Sequence, residues 1–118
     1  MMIEEVRIGR HMDQLRKRRE QLVMTLQHIG REQEQVEQNT DWLDQAAYES
    51  RANLLDRLND WYIEEMDQID KALNCIRQNQ YGLCLGCHNP IGADRLDISP
   101  EAEFCGSCQG VSEQLEER

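Results

Sequence analysis

Apolar residues return every seven positions along the first part of the chain, at Ile8, Leu15, Leu22, Ile29, Val36 and Leu43, with Met12 and Leu26 forming a partial second row. A seven-residue repeat keeps one narrow stripe on one face of a helix, which is the seam of a coiled coil. A second seam runs through Tyr48, Leu55, Tyr62, Ile69 and Ile76, accompanied by Ala52, Met66 and Leu73. The two are out of register, because Leu43 and Tyr48 lie five residues apart where an unbroken repeat needs seven. Between them stand Thr40 and Asp41, residue types that start helices. The pattern predicts a helix from about residue 4 to about residue 38, a tight turn, and a second helix from about 44 to about 78. Each arm is then roughly 50 Å long at about 1.5 Å per residue. One stripe is too little apolar surface for an arm to stand alone, so the arms pack on each other or on another chain. The turn contains neither Gly nor Pro, and a single continuous helix that dimerises is the competing arrangement.

The last third is built differently. Seven of the nine Gly and Pro residues fall after position 80, which marks a change from helix to a turn-rich module near Asn79 to Gly82. Four cysteines there form two knuckles, Cys84-Leu85-Gly86-Cys87 and Cys105-Gly106-Ser107-Cys108, in the pattern C-x2-C-x17-C-x2-C. This is the spacing of a tetrahedral zinc site, one Cys-x-x-Cys turn placing two sulfurs within reach of one ion. Four thiolates fill the shell, so the zinc is expected to be structural and to offer no position for water or substrate. Two disulfides are the alternative. Against them, Met1 to Arg10 has no apolar run of signal-peptide length, and no segment is apolar enough to span a bilayer. Reduced thiols in a cytoplasmic protein are the expectation. Cys75 falls outside the zinc spacing and reads as a spare thiol. His11, His28 and His88 show no ligand spacing, and His88 reads as a surface neighbour of its knuckle.

A formal charge of −10 argues against nucleic acid as the main partner, because phosphate binding needs a clustered positive surface. The charge is uneven: residues 1–40 hold seven acidic and seven basic residues, 41–80 nine and four, and 81–118 seven and two. The one basic run, Arg16 to Arg19, reads as solvated interhelical pairs. In a hairpin turning near residue 43 it faces the stretch around Asp67 and Asp70, each interhelical pair contributing under about 1 kcal/mol. Contact with an acidic protein partner is the other reading of that run. Asp41 and Asp44 also have a purely local reading, as carboxylates capping the positive end of the second helix.

The expected fold is therefore mainly α. A long antiparallel coiled-coil hairpin covers residues 1–80, with its tip at about 40–46, and a small four-cysteine zinc-finger module with a short C-terminal helix covers 81–118.

Two separated motifs carry a resemblance. Tyr81-Gly82-x-Cys84-x-x-Cys87, then Ile91-Gly92, Arg95-Leu96, Pro100 and Cys105-x-x-Cys108, resembles the zinc-finger signature of the DksA/TraR family of bacterial RNA polymerase regulators. At the hairpin tip, Asp41-Trp42-Leu43-Asp44-Gln45-Ala46 is similar to the D-x-x-D-x-A tip motif of that family's DksA branch. Short TraR-like members lack the first long arm, so a chain with both arms resembles the DksA branch. It is shorter at the N-terminus than typical members of that branch.

The resemblance implies one zinc held by Cys84, Cys87, Cys105 and Cys108, and a protein with no reaction of its own. It implies RNA polymerase as direct partner, the finger passing through the secondary channel to bring the tip acids near the active centre. Promoter DNA is not touched, a membrane is not involved, and the expected form is a monomer. Of the tip residues, Asp44 and Ala46 are expected to act on polymerase and Asp41 to hold the tip in shape. Such factors inhibit promoters with unstable open complexes, ribosomal RNA promoters foremost, and activate some others. Family members that cooperate with ppGpp hold it partly with basic side chains at positions that correspond here to Gln68, Ser99 and Gln109. All three are uncharged, which implies little dependence on ppGpp through that site. A structural adaptor joining two proteins is the alternative function. A zinc-thiolate redox sensor is a third reading, compatible with the first.

Overall fold

The computed structural model describes residues 5–38 and 45–110. Helix α1 spans Glu5–Gln38 and α2 spans Gln45–Arg77, within one residue of the limits read from the heptads, and a short α3 spans Ala93–Ile98. Residues 106–110 are also helical. The tip acids Asp41 and Asp44, and residues 111–118 where the sequence places a C-terminal helix, lie outside the described residues. Among the described residues no helix is long and apolar enough to cross a membrane.

The two long helices form a hairpin, which sets aside the single continuous helix. Cross-helix pairs run in opposite order along them: Arg18 with Glu65, Glu32 with Arg51, and Gln33 with Asp56. Two compact units are present, residues 18–66 and residues 1–17 with 67–118.

In the unit of residues 18–66, Ile29, Val36 and Leu55 form a buried cluster against which Tyr48, Leu58 and Tyr62 pack, and Leu22 is also buried. All but Leu58 are seam residues. Leu58 sits three positions after Leu55, so the second seam carries the usual alternating rows here. Each fully buried leucine contributes about 1.5–3 kcal/mol, so these few side chains outweigh every surface pair on the same helices. The basic run supplies a cross-helix ion pair, the kind of contact read from sequence: Arg18 Nη2 donates to Glu65 Oε1 at 2.9 Å, two residues before Asp67. Asp67 is also bound at 3.0 Å by Lys71, one turn along its own helix.

The unit of residues 1–17 and 67–118 buries Leu15, Ile69, Ala72, Tyr81, Ile91 and Leu96 together with His11. Helix α2 ends there in a Schellman cap. Gln80 N donates to Cys75 O at 2.8 Å, Asn79 N donates to Ile76 O at 3.2 Å, and Asn79 takes the left-handed conformation at φ 59°. Asparagine tolerates that conformation better than any other residue but glycine, so the cap sits where the sequence changes character. A second left-handed residue, Gly82 at φ 89°, then turns the chain into the finger.

Candidate metal centre

Two knuckles meet in the second unit. Leaving Gly82, the chain makes an isolated antiparallel bridge between Leu83 and Pro90, closed by Ile91 N donating to Gly82 O at 2.6 Å. Inside that loop Cys84 N donates to Asn89 O, and His88 N returns to Cys84 O, both at 2.9 Å. The first Cys-x-x-Cys is thus a tight turn rather than a flexible loop. The second follows α3, where Arg95 Nε donates to Phe104 O at 3.0 Å and Leu85 N donates to Glu103 O at 2.8 Å. Those two bonds hold the strand-like approach to Cys105 against the first knuckle. Cys105 O then accepts from Gln109 N at 2.8 Å and begins a helical turn that carries Cys108.

The result is four sulfurs, from Cys84, Cys87, Cys105 and Cys108, all within 4.8 Å of one another. Cys87 Sγ and Cys105 Sγ are 3.8 Å apart. A tetrahedral zinc with Zn–S distances of about 2.3 Å has S–S edges of about 3.8 Å, so the donor set has the size and chemistry of the ion. Gly86 N donates to Cys84 Sγ at 3.3 Å, a bond that stabilises a thiolate. A Cβ at Gly86 would stand 3.0 Å from Cys108 Sγ and 3.2 Å from its Cβ, so this glycine is required by close approach. Burial opposes ionisation of Cys84, yet backbone hydrogen bonds from Cys105, Cys87 and Gly86 outweigh it and draw the thiol down to about 6. Hydrogen bonds with Cys84 and Cys105, and burial, push Cys108 up to about 12. A divalent cation bound by these sulfurs displaces the thiol protons. The four cysteines are the C4 site of one structural zinc.

The remaining cysteine, Cys75, stands half-buried in α2 and outside the cluster. His88 is exposed, as read from sequence, and takes a left-handed backbone at φ 62°. His28 is exposed and pairs with Glu32 along its own helix at 3.0 Å. His11 is different. It is 1% exposed, its Nε2 donates to Asp97 Oδ1 at 2.7 Å, and its Nδ1 lies 3.3 Å from Tyr81 Oη. Tyr81 in turn donates to Pro100 O at 2.9 Å, and burial raises its phenol, with the Glu101 and Asp97 carboxylates adding to the effect. The His11 ring meets Tyr81 edge-on at 5.9 Å. This polar cluster supports the finger from beneath. Sequence reading, which found no ligand spacing for His11 and gave it no other role, did not find this cluster.

Ala46 is exposed in the first turn of α2. Gln68 lies half-buried in α2, Ser99 is the C-cap of α3, and Gln109 is half-buried in the turn after the last cysteine.

Residues 79–114 match the family model described as the prokaryotic dksA/traR C4-type zinc finger. An uncharacterised protein of Aquifex aeolicus is 32% identical over 84 residues, covering 71% of this chain and 56% of that protein. The RNA polymerase-binding transcription factor DksA of Escherichia coli is 28% identical over 100 residues, covering 85% of this chain and 64% of that protein. The chain thus spans 56 to 64% of the length of these relatives. The structure of transcription factor DksA2 from Pseudomonas aeruginosa superposes with a TM-score of 0.81 at 27% identity, over 98% of this chain and 89% of that one. With the finger model matched and the likeness to DksA2 extending over nearly the whole chain, the chain belongs to the DksA/TraR family of C4-type zinc-finger proteins.

Proposed function

We propose that this protein is a bacterial transcription regulator that binds RNA polymerase directly. Its hairpin enters the secondary channel and brings the tip near the active centre, where Asp44 and Ala46 act while Asp41 holds the tip in shape. The factor alters the stability of open complexes, inhibiting ribosomal RNA promoters and activating some others. It catalyses no reaction, reads no DNA sequence, works in the cytoplasm and acts as a monomer.

One observation carries this reading: the likeness to DksA2 extends over both the hairpin and the finger, beyond the finger motif alone. Relatives matched over most of this chain bear the name RNA polymerase-binding transcription factor. The charge of −10 accords with a protein partner rather than a phosphate backbone. Uncharged Gln68, Ser99 and Gln109 support action with little help from ppGpp, because each charge-assisted phosphate contact contributes roughly 1.5–3 kcal/mol.

The direct test is binding of the zinc-loaded protein to core RNA polymerase, with and without a second protein known to occupy the secondary channel. The reading expects a one-to-one complex that the competitor displaces. Absence of binding, or binding indifferent to the competitor, contradicts it. The second outcome is what an adaptor docked elsewhere gives.

A further inference from the structure

Beside the finger lies a second concavity that takes no part in metal binding. The last turns of α2 and the segments flanking the first knuckle enclose a half-open cavity of about 170 Å³. Ala72, Cys75, Tyr81, Leu83, Leu85 and Ala102 give it a mostly apolar wall. Sites for whole small molecules run to roughly 300–1,000 Å³, so this one is too small for a cofactor and suits a single large side chain. Its lip is apolar and in water, Leu85 being 53% exposed and Leu83 36%.

The charges at the lip point to the kind of side chain that accompanies the anchor. Lys71 is held by Asp67 at 3.0 Å and reaches Glu103 at 4.0 Å. Glu101, also at the cavity, carries no ion pair among the described residues. Lys71 is thus offset by Asp67 and Glu103, and Glu101 adds a further carboxylate at the cavity, which leaves a negative rim beside the exposed Leu83 and Leu85. A partner that covers both needs an apolar side chain next to a cationic one.

We infer that this cavity is a docking pocket for a polypeptide segment that inserts one large apolar side chain between Ala72 and Leu85 and pairs an adjacent lysine or arginine with Glu101. The inference rests on the proposed function in one respect, that the segment belongs to RNA polymerase. A filled central pocket of this kind has the character of a binding hot spot, so its loss weakens the complex at least about ten-fold.

Cys75 supplies a native reporter, because it lines the pocket while the other four thiols bind zinc. The experiment measures the rate at which N-ethylmaleimide alkylates Cys75 in the zinc-loaded full chain, alone and with excess core polymerase. Affinities of Leu85→Asp and Glu101→Lys are measured in parallel, after zinc content and helicity are checked against the parent. The expected result is alkylation at least about ten-fold slower in the complex, with both variants binding at least about ten-fold more weakly. Equal alkylation rates free and bound, or parental affinity in both variants, overturns the inference while leaving polymerase binding intact. Protection already complete in the free chain, as a second copy or another part of this chain gives, also overturns it. If the parent does not bind polymerase at all, the function proposed above fails and the pocket's partner with it.

Discussion

His11 Nε2 and Asp97 Oδ1 lie 2.7 Å apart although 86 residues separate them in the chain, which ties the start of α1 to the end of α3. His11 is fully buried against Tyr81, whereas Asp97 keeps 39% of its side chain exposed. The two ends of the bond therefore differ in what their removal leaves behind.

His11→Ala deletes a buried ring and leaves a hole, so it is expected to destabilise the unit of residues 1–17 and 67–118 by about 2–4 kcal/mol. Asp97→Asn keeps an acceptor oxygen in place and its site is open to water, so a clearly smaller loss is expected. Urea unfolding of the zinc-loaded variants, followed by amide exchange of Tyr81 and Leu96, measures both. Equal losses for the two substitutions contradict the assignment of His11 as the buried member.

The same pair gives a pH dependence of defined sign. The hydrogen bond from His11 holds the Asp97 carboxyl below its ordinary value of 3.8, with Arg7 and Arg10 adding to the effect. The unfolded chain then takes up the proton before the folded chain does, so this contribution is complete above about pH 3.8 and is lost as pH falls through the lowered folded value. Thiolate protonation releases zinc in acid in the parent and in Asp97→Asn alike, and drops out of the difference between them. The stability gap between the two is expected to be constant from pH 7 to about 5 and to close below about 3.8. A gap that widens on acidification contradicts the sign.

Metal removal separates the finger from the hairpin. Replacing any one of Cys84, Cys87, Cys105 or Cys108 by Ser is expected to abolish tight zinc binding and unfold residues 81–110, because metal binding supplies the folding energy of so small a segment. The helicity of residues 18–66 is expected to persist, since that unit has its own core of Ile29, Val36 and Leu55. Gly86→Ala, whose new Cβ meets Cys108, is expected to weaken zinc binding roughly 10- to 100-fold without removing a ligand. Metal analysis and circular dichroism check all three expectations. Well under half an equivalent of zinc in the parent, with the finger still ordered, contradicts them.

The parts of this structure that sequence reading reached are those whose physics is local. Seam residues such as Leu22, Ile29 and Leu55 recur at the helical repeat, so burial can be assigned from spacing alone. The cysteines of one knuckle are three positions apart, and a turn brings them together whatever the rest of the chain does. The individual partner of Arg18 was not legible, because choosing Glu65 among the neighbouring acids of α2 depends on side-chain reach rather than on spacing. His11 was missed for a stronger reason. Its partners are 70 and 86 residues away, and only the docking of the finger on α1 creates the site. Helix α3 has six residues and no side-chain cap, so it carries almost no local signal.

Little dependence on ppGpp is expected on the proposed reading of Gln68, Ser99 and Gln109. With polymerase lacking its factor-independent ppGpp site, this protein is expected to inhibit a ribosomal promoter almost equally with and without the nucleotide. The triple change Gln68→Lys, Ser99→Arg and Gln109→Lys is expected to introduce potentiation, each phosphate contact contributing roughly 1.5–3 kcal/mol. Strong potentiation of the parent contradicts the reading of those positions.

The lifetime of a ribosomal promoter open complex, measured with the parent and with Asp44→Asn at concentrations that saturate polymerase, bears most directly on the whole account. The parent is expected to shorten that lifetime severalfold. Asp44→Asn, which keeps the size of the side chain and is itself a residue type that starts helices, is expected to occupy polymerase equally well and to lose most of the effect. An unchanged lifetime with the parent bound, or full activity in Asp44→Asn, contradicts the claim that the hairpin tip acts on the polymerase active centre.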